Sequence, residues 1–392
     1  MKNINILKIF SLTIFILVIL YFFCLQSGCF TTISEVDKNI NYTASITPPN
    51  DLIIQWAYNN DGTLDQKLDF MDFNEESWKN DKINSKKGID INFNHSMNPT
   101  PSRSVLVAVI DSDMDINNEI FEDIIWTNNK EIPNDGKDND HNGFIDDYCG
   151  WNFCESNNKI YNNQFHAGIH GTHILGTLGA RDTKNNFFGI LSNTKAKIMC
   201  LKALSGNSGG GKIKDVVEAI DYADKNGAKI CCLSLTTSQY NTELFNAMKK
   251  SKMLFVVAAG NDGIKLNKKS KLYPVNFELD NMITVTAIRC DGKLSCNSNY
   301  GDKIVDLAAP GADIIGPYPE KSYSYLSGSS VAVPFVAGVA GQVYSNSKKE
   351  LSSLELKKIL IMSVKKINVL KGKVKTAGIV NYKKSMKIIN AK

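Results

Sequence analysis

Residues 105–111 read VLVAVID, a run of apolar residues that ends on an aspartate. A continuous apolar run predicts a central strand of a parallel sheet, because such a strand is buried on both faces. Four more runs are similarly rich in apolar residues, namely KIMCLKAL (197–204), KICCLSL (229–235), MLFVVAAG (253–260) and MITVTAI (282–288). Each of them predicts a further strand of the same sheet.

Helical patterns lie between these runs. IKDVVEAIDYADKNG (213–227) carries apolar residues at helical spacing and ends on Gly227, as helices commonly do. TELFNAMKKSK (242–252) has similar spacing. Alternating strands and helices predict an α/β fold with a mostly parallel central sheet flanked by helices. Ligands bind such sheets at the carboxyl ends of strands, so Asp111 and Asn261, which both follow strands, are expected at one crevice.

The composition is that of a globular protein rather than a disordered one. The chain has 392 residues, of which 43% are hydrophobic and 22% charged, and its net charge is +5. The basic residues are scattered, with a mild excess of lysine after Lys348 and no arginine-rich stripe. This pattern indicates a solvated lysine surface and no nucleic-acid partner.

The N-terminus has the layout of a secretory signal. Lys2 and Lys8 precede an apolar run at 9–25, and the small residues Ser27 and Cys29 follow it. Residues 1–29 are therefore predicted to be either a signal peptide cleaved near Cys29 or an uncleaved signal-anchor that attaches the chain to a membrane. Both alternatives send the remainder into the secretory pathway, to the extracellular space, the cell surface or a secretory organelle.

Nine cysteines are present, and an oxidising compartment would pair some of them. The local candidates for disulfides are Cys149 with Cys154 and Cys290 with Cys296. Three further cysteines lie in strand-like runs and are expected to be buried thiols, namely Cys200, Cys231 and Cys232.

Four segments together suggest acyl-transfer chemistry. They place Asp111 at a strand end, His170 at the start of HGTHILGTLGA (170–180), Asn261 after AAG, and serines at the start of the apolar run in LSGSSVAVPFVAG (326–338). Each has an ordinary structural reading, as a turn, cap or buried polar residue. Combined, they supply a nucleophile, a base, a carboxylate that orients the base, and an oxyanion donor. The chain order Asp, His, Ser is one of three known for this geometry.

At these residues the chain resembles the subtilisin-like serine proteases, or subtilases. The family motif Gly-Thr-Ser-Met-Ala-x-Pro falls on GSSVAVP, with Ser329 in the Thr position and Ser330 in the nucleophile position. The resemblance implies that His170 is the base, Asp111 its orienting partner and Asn261 the oxyanion donor, and that Ser327 is structural. It also implies a three-layer subtilisin-like fold over residues 48–390, after a short linker or residual propeptide at 30–47.

The same resemblance implies an extended polypeptide substrate. GGGK and SLT resemble the family segments that pair with the substrate backbone, and AAG would form the opposite wall of the first pocket. The substrate-binding residues implied in this way are Gly209, Gly210, Gly211, Ser234, Leu235, Thr236, Ala258, Ala259 and Gly260.

A second motif indicates a cation site. NDGKDNDHNGFIDD (134–147) alternates carboxylates with other residues, a pattern that suits a hard cation such as calcium. It resembles the calcium-binding insertion that several subtilases, including apicomplexan ones, carry between Asp and His. The predicted ligands are Asp138, Asp140, Asn142, the carbonyl of Phe144, and Asp147. The alternative is a solvated acidic loop.

Several departures from the family pattern favour a second function. Asp113 replaces a glycine and is expected to add negative charge near His170, while Thr236 replaces a pocket glycine and is expected to narrow the first pocket. Val331 and Phe335 stand where the family has Met and His. Residues 48–58 resemble the start of mature subtilase domains, so the folded prodomain that is usual in the family is expected to be missing. The alternative is a catalytically weak or inactive pseudoprotease that acts as a surface binding or host-invasion protein, since the Asn-, Lys- and Ile-rich composition resembles apicomplexan proteins.

Overall fold

The computed structural model describes residues 32–33, 55–63, 85–94, 101–162, 168–205 and 210–391. The predicted signal at 1–29, the predicted linker at 30–47 apart from Thr32–Ile33, and Gly209 lie outside the described residues. Within these ranges, no helix combines the length and the apolar character needed to cross a bilayer.

A parallel sheet is the centre of the fold. The strands of the described residues are β1 (Thr32–Ile33), β2 (Val105–Asp111), β3 (Gly150–Asn152), β4 (Arg181–Asp182), β5 (Phe187–Phe188), β6 (Ala196–Lys202), β7 (Gly211–Lys212), β8 (Ile230–Leu233), β9 (Leu254–Ala258), β10 (Met282–Ile288), β11 (Leu307–Pro310), β12 (Ile314–Tyr318), β13 (Ser322–Leu326), β14 (Lys365–Lys366) and β15 (Gly378–Ile379). Nine of them form one sheet in the order β14-β15-β11-β10-β9-β8-β2-β6-β3. Only the β14–β15 pair in this sheet is antiparallel.

Helices cover both faces of this sheet. They are α1 (Ile169–Gly179), α2 (Ile213–Lys225), α3 (Thr242–Lys250), α4 (Ser329–Asn346), α5 (Ser353–Met362) and α6 (Tyr382–Asn390). Alternate residues of β2 face opposite layers: Val107 and Val109 belong to a core shared with α1 and α4, whereas Ala108 and Ile110 belong to a core shared with α2 and α3. The fold therefore has three layers, as the resemblance to the subtilases implied.

The sheet order explains where the site lies. From the central strand β2 the chain first adds β6 and β3 on one side, and later adds β8, β9, β10 and β11 on the other. A crevice forms where the strand order reverses, outside the carboxyl ends of the strands. Asp111 is the last residue of β2, so it lies at this reversal point.

All five strands and both helices predicted from the sequence are present, with boundaries within a few residues. Gly227 has φ +83°, the left-handed conformation expected just after the end of α2. The buried thiols Cys200, Cys231 and Cys232 are also confirmed.

Neither predicted disulfide is present, since the cysteines of the described residues are all thiols. The three-residue strand β3 separates Cys149 from Cys154. Cys149 precedes this extended strand, whereas Cys154 lies in the turn that follows it. In the second pair, Cys290 is 5% exposed and packs in the core, whereas Cys296 is exposed.

Candidate active site

An Asp–His pair lies at the carboxyl end of β2. His170, in the first turn of α1, donates from Nδ1 to Asp111 Oδ1 at 2.8 Å, and both side chains are buried. A carboxylate accepts hydrogen bonds but does not donate them, so the proton of a neutral His170 lies on Nδ1. This tautomer leaves Nε2 as the acceptor nitrogen. The Ser112 N–H also donates to Asp111 Oδ1, at 2.7 Å, and so helps to fix the carboxylate.

His173, one helical turn further, has a structural role. Its Nε2 donates to the carbonyl of Ile314 at 2.9 Å, and the ring packs against Gly316, where a Cβ would approach to 2.5 Å. Burial lowers the pKa of His173 from 6.5 to about 4, and the nearby His170 adds to this effect while the Ile314 hydrogen bond opposes it. His173 is therefore neutral near pH 7.

The serine nucleophile candidate and the oxyanion candidate meet beside Gly328. Ser330 is fully buried, and its hydroxyl has no hydrogen-bond partner among the described residues. A Cβ built on Gly328 would lie 3.3 Å from Ser330 Oγ and 3.0 Å from Asn261 Nδ2. An atom at this position would therefore lie close to both the Ser330 hydroxyl and the Asn261 amide, as the carbonyl of a substrate must do when it is attacked.

Asn261 is held in the orientation that an oxyanion donor needs. Its Oδ1 accepts from the Ser329 N–H at 2.7 Å, in the first turn of α4. Because the oxygen is bound in this way, the amide N–H₂ is the end that faces Gly328. The loop behind Asn261 is held by Asn299, whose Oδ1 accepts from the N–H groups of Asp262 and Ile264 at 3.1 and 3.0 Å.

The serines around Ser330 make hydrogen bonds within the fold, as expected of a structural Ser327. Ser327 Oγ accepts from the Asp313 N–H at 2.9 Å. Ser329 Oγ accepts from the Gly260 N–H at 3.0 Å, so it joins α4 to the end of β9. Ser234 Oγ donates to the carbonyl of Ser330 at 3.1 Å. These bonds fix the first turn of α4 against two strands of the sheet.

The predicted substrate-binding edge is paired within the chain. β1 pairs antiparallel with β7, with Ile33 opposite Gly211 and Thr32 opposite Lys212. The edge thus accepts an antiparallel strand, which is the geometry predicted for a peptide substrate. Gly210 adjoins this edge and its carbonyl accepts from the Ser205 N–H at 2.6 Å.

The other predicted pocket residues follow neighbouring strands. Ser234 and Leu235 are buried just after β8, and Thr236 is half-buried, so narrowing of the pocket by its side chain stays a prediction. Ala258 and Ala259 are buried at the end of β9. Gly260 has φ +89°, and a Cβ there would lie 2.6 Å from the Asn299 amide.

Asp113 does not add an uncompensated charge to the site, contrary to the expectation from sequence. Its carboxylate oxygens lie 3.0 and 3.1 Å from Lys202 Nζ, and both side chains are almost completely buried. Lys202 ends β6, and its register partner on β2 is Asp111. A buried ion pair thus lies beside the Asp–His pair.

The acidic loop forms a carboxylate cluster that differs from the predicted ligand set. Oxygen atoms of Glu131, Asp140 and Asp147 all lie within 4.8 Å of one another. Glu131 is 5% exposed, and its Oε2 is buried without a hydrogen-bond partner among the described residues. An orphaned buried carboxylate oxygen facing two other carboxylates fits a hard cation, because such oxygens are the ligands that calcium prefers.

Other predicted ligands have local roles. The oxygens of Asp138 accept from the N–H groups of Asn142 and Gly143 at 3.0 and 2.8 Å, so Asp138 stabilises the turn and lies outside the cluster. Asn142 donates from Nδ2 to Asp147 at 2.9 Å. The ring of Phe144 packs edge-on against Trp151, at a centroid distance of 5.2 Å, while ligation by its carbonyl stays a prediction.

Sequence reasoning missed Glu131, Lys202 and Asn299. Glu131 precedes the alternating motif and joins it only through the fold, since its Oε1 accepts from the Asp140 N–H at 3.0 Å. Lys202 interrupts the apolar run KIMCLKAL, and a lysine inside a buried strand was a visible sign of an ion pair. Asn299 had no distinctive sequence pattern around it.

A buried Asp–His pair at a strand end and a buried serine at a helix start, on a parallel three-layer sheet, define a subtilisin-like α/β protein. A cold adapted subtilisin-like serine proteinase matches with a TM-score of 0.57 at 23% identity, covering 73% of this chain and 91% of that one. The protease domain of PatA matches with a TM-score of 0.56 at 21% identity, covering 76% and 98%. These likenesses show the fold.

The chain belongs to the subtilase family, since the model of that family, peptidase S8, matches residues 102–381. Subtilisin-like protease 1 of Plasmodium falciparum is 30% identical over 308 residues, which cover 73% of this chain and 44% of the relative. Thermitase of Thermoactinomyces vulgaris is 36% identical over 203 residues, covering 51% of this chain and 68% of thermitase. The chain thus spans less than half the length of the Plasmodium relative.

Proposed function

We propose that this chain is a subtilisin-like serine endopeptidase that hydrolyses peptide bonds of extended polypeptides through Asp111, His170 and Ser330. The observation that carries the proposal is the 2.8 Å hydrogen bond between the buried side chains of His170 and Asp111. The buried Ser330 hydroxyl, without a partner among the described residues and close to the Asn261 amide, supports it. The relationship to proteases of the subtilase family supports it independently.

In the proposed reaction, Ser330 Oγ attacks the substrate carbonyl and gives its proton to Nε2 of His170. The Asp111 carboxylate stabilises the imidazolium formed in this step. The oxyanion accepts hydrogen bonds from Asn261 Nδ2 and from the Ser330 N–H, which lies in the first turn of α4 where backbone donors have no intrahelical partner. His170 then gives the proton to the leaving amine, and water hydrolyses the acyl-enzyme in the reverse sequence of proton transfers.

Calcium is the structural ion of this proposal. Glu131, Asp140 and Asp147 would hold it, with Asn142 and the carbonyl of Phe144 as further ligands after rotation of the Asn142 amide. An ion there would offset most of the repulsion among three neighbouring carboxylates and so stabilise the loop between β2 and β3. It takes no part in the chemistry.

The proposed location is the secretory pathway, with release to the extracellular space, the cell surface or a secretory organelle. The apolar run at 9–25, which follows Lys2 and Lys8, supports this proposal. Retention of that run would attach the chain to a membrane, and a surface or host protein is then a further candidate partner.

A second candidate function is a pseudoprotease that binds a surface or host protein. The observation that favours it is the β1–β7 pairing, in which the chain's own backbone takes the edge proposed for substrate. A partner bound equally well by Ser330→Ala would support this candidate.

A serine-directed fluorophosphonate probe tests the proposed reaction. The full chain is incubated with the probe in the presence of calcium, beside Ser330→Ala and Ser327→Ala. We expect labelling of the wild type and of Ser327→Ala, and none of Ser330→Ala. Well-folded wild-type protein that takes no label would overturn the proposal and favour the pseudoprotease.

A further inference from the structure

The Asp113–Lys202 ion pair is a buried charged feature that the proposed reaction does not use. Lys202 Nζ lies 3.0 Å from Asp113 Oδ2 and 3.1 Å from Oδ1, and the two side chains are 3% and 0% exposed. The half-exposed Glu155 lies 3.6 Å from the same ammonium. A buried ion pair is weak evidence for stability, because desolvation offsets the attraction. Its position beside the site suggests a different role.

Backbone contacts tie this pair to both members of the Asp–His pair. Asp113 follows Asp111 by two residues, and its carbonyl packs on α1, where a Cβ on Gly171 would approach it to 2.5 Å. Gly171 is the residue after His170. On the other side, the carbonyl of Asp111 accepts from the N–H of Ala203, the residue after Lys202, at 3.0 Å. The ion pair is thus held close to the acid–base groups on both sides.

An unpaired carboxylate at Asp113 would change the proton affinity of His170. An imidazolium is stabilised by every buried carboxylate near it, so a second carboxylate beside His170 would hold the proton that the base must release. Lys202 carries the opposite charge and cancels the field of Asp113 at short range. With Lys202 in place, the charge of Asp113 is paired, and Asp111 is the carboxylate that contacts the His170 ring.

We propose that Lys202 is a positioning residue that neutralises Asp113 and thereby keeps His170 available as a base near neutral pH. The proposal deepens the proposed function and rests on it for its catalytic consequence. In this view the aspartate at position 113 and the lysine at position 202 are a matched pair, each tolerable at the site only with the other.

Other titratable groups face the same region and must be separated from this effect. Burial raises the pKa of Cys154 to about 12, and Asp215 adds to the rise. Burial likewise raises the pKa of Tyr161 to about 12, with Asp115 adding to the rise. These two groups stay neutral across the working range of pH.

Three further titratable side chains near the ion pair are unchanged in all variants used for the test. Burial raises the pKa values of the carboxyls of Asp115 and Asp215. Cys232, which faces Asp111, stays a thiol because burial raises its pKa well above the ordinary value. All of these groups, together with His173 and Glu155, are the same in every variant, so differences between variants report on the ion pair.

The test uses the full chain as Lys202→Met, Asp113→Asn and the double variant, with the exposed Lys197→Met on the same strand as the matched control. The imidazole titration of His170 is followed by NMR of ¹³C-labelled histidine, assigned with His170→Ala. The pH dependence of fluorophosphonate labelling is measured in parallel, and folding is checked by circular dichroism.

We expect Lys202→Met to move both the His170 midpoint and the acidic limb of labelling to higher pH by roughly one unit, a tenfold change in proton affinity. The double variant should return the midpoint close to wild type, and Lys197→Met should leave it unchanged. A folded Lys202→Met with an unchanged midpoint would overturn the proposal, as would a double variant that does not return toward wild type.

Two further outcomes keep the test decisive. If Lys202→Met does not fold, Asp113→Asn is compared with the double variant. Lys202 is unpaired in Asp113→Asn, so its removal in the double variant must raise the titration midpoint of His170. A midpoint that stays the same in that comparison contradicts the proposal. If the wild type takes no label, the proposed function fails, but the NMR titration still decides whether Lys202 controls the proton affinity of His170.

Discussion

The side-chain hydroxyl of Ser234 donates a 3.1 Å hydrogen bond to the backbone carbonyl of Ser330. Pro334 explains why this carbonyl needs a partner. In a regular α-helix the N–H of residue 334 would donate to the carbonyl of residue 330, but proline has no N–H. Ser234 and Ser330 are 3% and 0% exposed, so bulk water cannot replace the bond. The segment after β8 thus holds the residue that carries the proposed nucleophile.

Replacement of Ser234 by alanine tests this contact. The Ser330 carbonyl would lose this donor, so we expect the free energy of unfolding to fall by about 1–3 kcal/mol. The rate of fluorophosphonate labelling should fall as well, because the first turn of α4 loses a tether. Denaturant unfolding and labelling kinetics measure the two effects, with the exposed Ser238→Ala as control. Equal behaviour of both variants would show that the bond does not matter.

Asn261→Asp tests the donor end of the Asn261 amide while it keeps the acceptor end. The carboxylate still accepts from the Ser329 N–H, but the donor that faces Gly328 becomes a negatively charged oxygen. Loss of one oxyanion donor lowers kcat by about 10²–10³, a magnitude known from a subtilisin. We expect a loss of at least this size in peptide hydrolysis, with a smaller loss of stability than in Asn261→Ala. Retained hydrolysis would remove Asn261 from the oxyanion site.

His173 should make the protein less stable in mild acid. Its pKa is lowered by burial from 6.5 to about 4, so between these values the unfolded chain binds the proton and the folded chain does not. Stability is therefore retained above pH 6.5 and declines as the pH falls toward 4, by up to about 3 kcal/mol. His173→Gln, which can still donate to Ile314, should lack this component. Urea unfolding at several pH values compares the two proteins, and parallel curves would contradict the expectation.

The carboxylate cluster predicts which loop residues control calcium binding. Chelation should lower Tm, because an ion that binds only the folded state stabilises it, by about 2.7 kcal/mol at 100 times Kd. Glu131→Gln removes the orphaned buried oxygen and should weaken calcium binding strongly in calorimetric titration. Asp138→Asn, at the exposed turn, should change it little. The reverse result would favour the ligand set expected from sequence spacing.

The elements that sequence analysis predicted well are those determined by local pattern. The apolar runs of β2, β6, β8, β9 and β10 are buried on both faces, so their sequences carry a strong strand signal. Asp111, His170, Asn261 and Ser330 follow or begin such elements, and the α/β topology alone brings strand ends to one edge. Pattern and topology together were sufficient to predict the positions of these residues, while their catalytic roles stay predictions.

The remaining features depend on contacts between distant residues. Lys202 pairs with Asp113 across 89 residues, and Glu131 joins the acidic loop only because the loop turns back on it. The disulfide prediction failed for the opposite reason, since closeness in sequence suggested a bond between Cys149 and Cys154, which lie on either side of strand β3 as free thiols. Spacing alone cannot reveal which side chains an extended segment separates.

The β1–β7 pairing is expected to limit the access of peptides to the crevice. β1 takes the edge at Gly211 and Lys212 that an extended substrate would pair with. A peptide must then displace β1, whereas a small fluorophosphonate need not. Ile33→Pro removes a backbone donor from β1 and weakens its pairing.

We therefore expect Ile33→Pro to accelerate labelling by a peptidyl phosphonate several-fold while labelling by the small probe is unchanged. Val36→Pro, beyond the paired residues, is the matched control. An equal change with both probes would indicate an effect on the acid–base groups rather than on the edge. Unchanged labelling with both probes would mean that β1 does not compete with substrate. In the pseudoprotease alternative, Ile33→Pro introduced into Ser330→Ala should increase the binding of a peptide or partner. The reason is that β1 competes for the backbone edge at β7, and this competition does not involve the nucleophile.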